Sequence, residues 1–253
     1  MTARAAAFAA LVETDPLRKC AAVMAIDAPI TGEPPAQAFD WRRVPGRPDK
    51  PVLVHPRAVP RRAVGSLEGR CALLHAVAHI EFNAINLALD AVCRFDALPD
   101  AFYVDWLSVA RDEARHFSLL RARLQRLGRD YGDFCAHNGL WEAAEKTAHD
   151  PLLRMALVPR VLEARGLDVT PGMMNRVREV GDGDTLAILD LILREEVRHV
   201  AIGTRWFRHL CAQRGIEPVA TFRHLLREHG VRLHPPLNLD ARAAAGFVDA
   251  ELA

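Results

Sequence analysis

The 253-residue sequence lacks any uninterrupted apolar stretch that approaches the roughly 20 residues needed to span a bilayer. Its short apolar run from Ala5 to Val12 is interrupted by Glu13 and Asp15 before a cleavage site appears. The run therefore predicts an amphipathic helix rather than a signal peptide. We expect a soluble cytoplasmic protein.

Closely spaced cysteines are absent, and lysines are scarce. The five cysteines are odd in number and include no C-x-x-C motif, which argues against a disulfide framework and against a zinc knuckle. A reducing cytoplasm fits this pattern. Lysine occurs at only three positions, so the positive charge is almost entirely arginine. The net charge of +1 excludes a uniformly basic nucleic-acid binder but leaves room for a local basic patch.

No alternating run of β-branched residues bounded by turn signals occurs, whereas helical periodicity runs through most of the chain. The predicted class is therefore all-α. Residues 1–28 predict an N-terminal segment with one or two short helices. Residues 29–65 carry eight prolines, which forbid a continuous helix, and they predict an extended proline-rich arm.

Residues 66–213 show the periodicity of four long helices. Glycines and prolines mark their ends, and residues 128–140 are too long for a tight turn, so they predict a crossover. The second pair is more interrupted than the first: Pro159 should kink helix three, Gly166 should interrupt it, and Pro171 should open a further helical segment. Residues 214–253 predict a C-terminal helix and a tail. Leu98, Pro99 and Asp100 predict the turn between the first two helices. The predicted helices are Ser66–Arg94, a second one from that turn to about Leu127, Leu140–Arg165, Asp184–Cys211 and Val219–His229.

Two stretches place a glutamate and a histidine three residues apart, D-E-A-R-H at 112–116 and E-E-V-R-H at 195–199. On a helix, residues at this spacing lie on one face and can bind the same ion. A further glutamate precedes the first E-x-x-H by 32 positions and the second by 33, so the chain repeats one helical hairpin. The six candidate metal ligands are Glu81, Glu113, His116, Glu163, Glu196 and His199.

Apolar residues surround Glu81, Glu113 and Glu196 on their predicted helix faces. A carboxylate on an apolar stripe costs free energy unless it is paired or bound to a metal. In the first hairpin both glutamates lie about 20 Å from the turn. In the second hairpin, Glu163 and Glu196 lie at the same distance from the turn only if the segment from Pro171 to Val180 continues helix three in the same direction. The equal spacing of the two repeats indicates that it does. The alternative is a pair of salt-bridged helices without a metal.

Neighbouring residues leave the ligand set partly open. Asp112 and Glu195 lie four residues before the two histidines of the repeat, so either could replace the adjacent glutamate. The cleaner apolar surroundings favour Glu113 and Glu196. His75 and His79 share a face, and His79, two positions before Glu81, points about 200° away from it, which makes them polar-face or supporting residues rather than ligands.

At these residues the chain resembles the ferritin-like diiron-carboxylate superfamily, over residues 66–211. More closely, it is similar to a bacterial ferritin-like family, domain of unknown function 455, and it loosely resembles tRNA-hydroxylases. The motifs that carry the closer resemblance are H-I-E at 79–81, D-E-A-R-H-F at 112–117, Y-G-D-F at 131–134, G-L-W-E at 139–142, L-V-P-R-V-L-E-A-R-G-L-D at 157–168 and H-V-A-I-G at 199–203.

The resemblance implies a four-helix bundle that holds two iron ions, with manganese as an alternative suited to the same hard ligands. One metal would be held by Glu81 and His116 and the other by Glu163 and His199. The bridging and catalytic residues would be Glu113 and Glu196. It further implies an enzyme that activates O₂ to hydroxylate or oxidise an organic substrate, with an external electron donor and with a modified nucleic-acid base as one candidate substrate. We expect a monomer or a dimer, without a membrane partner.

Three other interpretations of the sequence remain open. One is an iron-binding ferroxidase or storage protein without an organic substrate. Another is a metal-dependent phosphohydrolase built on the dipeptide His149–Asp150, which a structural role before Pro151 explains better. The third concerns the basic arm, which either binds a polyanion or packs on its own bundle, with Trp41 as its one stacking aromatic. The basic residues of the arm, against Asp49 alone, are Arg42, Arg43, Arg47, Lys50, Arg57, Arg61 and Arg62.

Overall fold

The computed structural model describes residues 2–27, 39–60 and 62–252. Over these ranges the chain is helical, without a strand and with one isolated bridge between Leu53 and Ala136, so the predicted all-α class is confirmed. The chain divides into two compact units, Met1–Trp141 and Glu142–Ala253. The four-segment division and the joining of the long helices into one bundle stay predictions.

Unit 1 consists of a long helical hairpin covered by two short helices. Its helices are α1 (Ala3–Val12), α2 (Pro16–Met24), α3 (Leu67–Arg94) and α4 (Asp100–Arg126), with short 3₁₀ turns at Trp41–Arg43 and Pro56–Ala58; α5 (Gly139–Lys146) contains the boundary with unit 2. The predicted limits of the first two long helices are confirmed. Ser66 caps α3 by accepting a hydrogen bond from the Gly69 N–H, and Gly128, with φ +77°, ends α4.

The predicted N-terminal helices fasten the hairpin through two buried cations. The Arg4 guanidinium donates to the Val92, Cys93 and Phe95 carbonyls at the end of α3, where helix carbonyls lack partners within the helix. The Lys19 ammonium donates to the carbonyls of Ala10 and Leu11 and to the Asn86 side chain. Both cations are buried, and nothing in the sequence pattern indicated them.

The described part of the arm, residues 39–60, packs on unit 1. The Val54 N–H donates to the Ala136 carbonyl at 2.8 Å, and the Ala136 N–H donates to the Val52 carbonyl at 3.0 Å. Trp41 is covered by the Arg94 guanidinium, 4.0 Å from the ring centroid. Of the two sequence interpretations of the arm, these contacts agree with the one in which the arm packs on the protein itself. Polyanion binding stays untested, and Pro29, Pro34, Pro35 and Arg61 of the predicted arm lie outside the described residues.

Unit 2 contains a second long hairpin whose first helix differs from the prediction. Its helices are α6 (Pro151–Leu157), a π-helical segment (Val158–Glu163), α7 (Ala164–Glu179), α8 (Gly183–Gln213), α9 (Pro218–Glu228), α10 (Leu239–Ala244) and α11 (Asp249–Leu252). The predicted helices for α8 and α9 are confirmed. The tail contains α10 and α11, which are too short to give a periodic signal in the sequence.

The predicted continuous helix from Leu140 to Arg165 was wrong. The chain leaves the helical conformation at residues 147–150, because a residue before proline disfavours it; Asp150 is extended and caps α6 through the Leu152 N–H. The predicted interruption at Gly166 was also wrong. A helical glycine costs only about 1 kcal/mol, which packing against α8 can offset.

From Pro151 to Glu179 the helical path is continuous, so the prediction that the segment after Pro171 extends the same helix is confirmed. Pro159 lies within the π-helical segment instead of at a simple kink. A π-bulge places a wider turn where a proline has removed a backbone donor. The segment ends at Glu163, a candidate ligand.

One helix in the described ranges, α3, is long and apolar enough to cross a membrane by length and composition. However, 78% of its apolar window is buried inside the protein. A buried core helix passes the same test, and α3 is the central helix of unit 1, against which both α1 and α4 pack.

The contact between α8 and the π-helical segment yields a stability prediction. A Cβ at Gly203 would overlap ring atoms of Pro159, whereas a Cβ at Gly166 meets nothing within 4 Å. We expect Gly203→Ala to lower the free energy of unfolding by roughly 1–3 kcal/mol through overpacking. Gly166→Ala, the matched control, should raise it by about 0.5–1 kcal/mol through helix propensity. Urea denaturation measures both, and equal effects would contradict the described contact.

Candidate metal centre

The first candidate group lies inside the α3–α4 hairpin of unit 1. Glu81 comes from α3, and Glu113 and His116 come from successive turns of α4. Apolar residues occupy the same helix faces above and below them, and all of these are buried, as the sequence predicted. They are Leu74, Val77, Ala78, Ile85 and Ala88 on α3 and Trp106, Val109, Ala110, Phe117 and Leu120 on α4.

The three side chains converge on one point. The Nδ1 atom of His116 lies 3.0 Å from a Glu81 carboxylate oxygen and 3.4 Å from a Glu113 oxygen. Each residue offers one ligand atom within 4.8 Å of the others. The exposed fractions of the side chains are 5% for Glu81, 1% for Glu113 and 0% for His116. Two carboxylates and an imidazole therefore share a site with almost no access to water.

Burial and, next to it, the neighbouring Glu113 charge raise the pKa of Glu81, and His116 lowers it; the net result is a pKa of about 8. Burial alone would lower the pKa of His116, but the hydrogen bonds and charges of Glu113 and Glu81 outweigh it and raise that pKa to about 11. In the metal-free protein at neutral pH, protons thus occupy the place between these side chains. They offset negative charge that the apolar surroundings cannot solvate.

The donor set fits a hard or borderline divalent cation. Carboxylate oxygens and a neutral imidazole suit iron and manganese, and the group contains no soft thiolate ligand. A cation at this point would replace the protons and neutralise both carboxylates. The buried group in unit 1 could thus hold a metal, and its residues are the ones predicted from the first half of the sequence repeat.

The second candidate group lies on α8 in unit 2. The Nδ1 atom of His199 lies 3.2 Å from a Glu196 carboxylate oxygen; the exposed fractions of these side chains are 0% and 12%. Glu163 is the last residue of the π-helical segment, which packs against α8. Unit 2 thus repeats the E-x-x-H contact of unit 1. A single site formed by all six residues stays a prediction.

The alternative ligands differ in their surroundings. Asp112 lies 3.0 Å from the Arg115 guanidinium, and its side chain is 23% exposed, unlike that of Glu113. This favours Glu113 as the ligand from α4. Glu195, like Glu196, is intermediate in exposure, so on α8 the preference for Glu196 depends on its contact with His199.

Of the two interpretations of His75 and His79, the polar-face one was wrong, since both are buried, and the interpretation as supporting residues remains. The Gly132 N–H donates to His75 at 2.9 Å. His79 lies 2.8 Å from the Tyr131 hydroxyl through Nδ1 and 3.1 Å from the His137 carbonyl through Nε2, so Nε2 is the donor. Burial lowers the pKa of both histidines to about 4, which keeps them neutral. They hold the loop after α4 instead of binding a metal.

Asp150 of the weak phosphohydrolase dipeptide has a structural role. Its carboxylate caps α6 and forms an ion pair with Arg214 at 2.6 Å. His149 is exposed on the preceding turn. The sequence interpretation that favoured a structural role for this dipeptide therefore agrees with the contacts of Asp150.

Metal binding to the unit 1 group is expected to release protons, because Glu81 and His116 are protonated at pH 7 in the metal-free protein and must lose those protons to bind. The apparent affinity should therefore rise with pH between 6 and 8. Calorimetric titration with Mn(II) in buffers of different ionisation enthalpy measures the protons released. An affinity that does not change with pH, with no proton release, would contradict this electrostatic description.

Substitution at adjacent positions distinguishes the candidate ligands of α4. Glu113→Gln should weaken Mn(II) binding by roughly 10-fold or more, because it removes a carboxylate ligand. In excess chelator the same variant should unfold at a higher temperature than the wild type, because without the Glu113 charge Glu81 can ionise and pair with His116 and no longer has to stay protonated. The control Asp112→Asn should bind Mn(II) like the wild type. Loss of binding in the control alone would identify Asp112 as the ligand.

Comparisons with known proteins cover the residues of both candidate groups. No solved structure matches this chain. It is 50% identical over 213 residues, 81% of this chain and 74% of the relative, to an uncharacterized protein of Haemophilus influenzae. The family model described as "Protein of unknown function (DUF455)" matches residues 12–253. On this match across nearly its whole length, the chain belongs to the DUF455 family.

Proposed function

We propose that the protein is a dinuclear non-haem iron oxidoreductase. The observation that carries the proposal is the buried group of Glu81, Glu113 and His116, whose carboxylates converge in an apolar core. A second carboxylate–imidazole contact at the equivalent positions of the sequence repeat supports two ions in place of one. The six residues would then form one site of the ferritin-like type.

In this site the chain's own residues have distinct roles. Glu81 and His116 would hold one ion, Glu163 and His199 the other, and Glu113 and Glu196 would lie between them. Bound iron supplies the redox chemistry needed to activate O₂. The apolar stripes around Glu81 and Glu113 exclude water, which strengthens the electrostatic attraction between the carboxylates and a cation.

We further propose an organic substrate that is hydroxylated or otherwise oxidised, with electrons from an external donor in the cytoplasm. A modified nucleic-acid base is one candidate. In the arginine-rich arm, Arg42 and Arg43 lie at the surface, whereas Trp41 is covered by Arg94. The exposed arginines therefore support a nucleic-acid substrate, and the covered tryptophan does not. A hard-ligand metal centre alone does not select the substrate.

Iron loading and oxygen uptake test the proposal. The metal-free full chain is loaded anaerobically with Fe(II), and the bound iron is measured after gel filtration. We expect about two ions per chain in the wild type and fewer in both His116→Ala and His199→Ala, because each histidine belongs to a different half of the site. Addition of O₂ should change the absorption spectrum and, with an external electron donor present, consume oxygen in proportion to an added substrate.

The same measurement separates the alternatives. An iron-loaded protein inert to O₂ would exclude the oxygenase class. A large hollow assembly that oxidises many Fe(II) ions per chain without an organic substrate would support the storage alternative. The control His75→Ala, in which a buried histidine outside the ligand set is removed, should keep the full iron content.

A further inference from the structure

The C-terminal segment of unit 2, residues 231–252, is fastened to the helix that carries Glu163. Three residues of that helix make the attachments, and they lie on both sides of the candidate ligand. Arg160 precedes Glu163 by three positions, and Arg165 and Asp168 follow it by two and five. We call residues 231–252 the C-terminal strap.

Arg160 forms the most buried attachment. Its guanidinium lies 2.7 Å from the Glu251 carboxylate of α11, and both side chains are 0% exposed. Three phenyl rings surround the guanidinium, with centroids 4.0–4.6 Å from its central carbon; they belong to Phe207, Phe222 and Phe247. The other Glu251 oxygen accepts a hydrogen bond from the Val248 N–H at 3.1 Å. The position of Arg160 is thus fixed from the strap, from α8 and from α9.

The two further attachments lie on α7. Asp168 accepts two hydrogen bonds from the Arg242 guanidinium, at 2.9 and 2.7 Å, and both side chains are buried. It also accepts a hydrogen bond from the Asn238 N–H. Arg165 donates to the carbonyls of His234 and Pro236. The strap therefore binds the helix immediately after Glu163 as well as before it.

The turn that these contacts fix is an uncommon one. Glu163 ends a π-helical segment, and π-turns are rare because their backbone geometry is less favourable than that of an α-helix. Such conformations persist only where the surrounding structure holds them. An α-helical turn would rotate Glu163 relative to α8, since it places each side chain at a different angle around the helix axis.

We propose that Arg160 and Glu251 are positioning residues, which hold the π-helical segment so that the Glu163 carboxylate stays in the place of a metal ligand. The inference rests on the proposed function for the role of Glu163. The strap acts through the backbone of residues 158–163 and contributes no ligand itself. Removing one partner leaves the other as a buried, uncompensated charge, which displaces the segment.

Substitution of Glu251 tests this role in the full-length chain. Glu251→Gln keeps the shape of the side chain but removes its charge. We expect a 10- to 100-fold loss of Mn(II) affinity for one of two ions, the range typical of residues that support metal ligands. Amide hydrogen exchange in residues 158–166 of the metal-free protein should become faster. Asp150→Asn, which breaks another ion pair of unit 2, is the control that should leave the metal affinity unchanged.

A double variant separates positioning from stability. Arg160→Met with Glu251→Leu replaces the ion pair by apolar side chains, which in general restores the stability that a single substitution loses. If the pair only stabilises unit 2, the double variant should regain both thermal stability and metal affinity. If the pair positions Glu163, the stability should return while the affinity stays low and exchange in residues 158–166 stays fast. Recovery of both properties would overturn the proposal.

Failure of the proposed function would be visible separately. Glu163→Gln should lose one ion; if it keeps both, Glu163 is not a ligand and the six-residue ligand set of the proposed function is wrong. Hydrogen exchange in Glu251→Gln does not depend on the metal and still reports whether the strap holds the π-helical segment. Unchanged exchange and unchanged affinity in Glu251→Gln, with one ion lost in Glu163→Gln, would refute the positioning role alone.

Discussion

Two carboxylates cannot remain ionised side by side in an apolar core without a compensating positive charge, and this constraint governs unit 1. Water is excluded around Glu81 and Glu113 because α1 and α4 cover α3. The imidazole of His116 and shared protons supply the compensation in the metal-free chain. The same arrangement makes the free protein electrostatically costly and would favour a bound cation, since one divalent ion could replace the protons on Glu81 and His116.

The sequence predicted this group because its signal is both local and repeated. A glutamate and a histidine three apart on one helix face are common, but the 32- and 33-residue separations, with apolar residues at helical spacing, relate four separate segments. The helix limits at Ser66 and Gly128 followed from cap chemistry, in which a side-chain oxygen or a left-handed glycine satisfies the terminal backbone groups.

Other features depend on contacts between segments distant in the chain, so no local pattern marked them. Gly166 and Pro171 look like helix breaks, yet packing against α8 keeps the helix continuous through both. The sequence pattern placed His79 on a polar helix face, but its hydrogen-bond partners Tyr131 and His137 lie more than fifty residues away in the sequence. The Arg160–Glu251 pair spans an even longer separation, and only the arginine within the apolar V-P-R-V-L run could have indicated it.

The two halves of the repeat therefore hold equivalent residues by different means. In unit 1 the candidate ligands lie on regular α-helices, whose geometry places Glu113 and His116 one turn apart without contacts from other segments. In unit 2 the glutamate that corresponds to Glu81 ends a π-helical segment, which the regular helical register does not determine. The additional constraint comes from buried charges on both sides of that glutamate and from the strap that pairs with them. In a metal centre built from these two halves, helix periodicity would determine the geometry of the unit 1 residues. Long-range ion pairs would determine the geometry of the unit 2 residues.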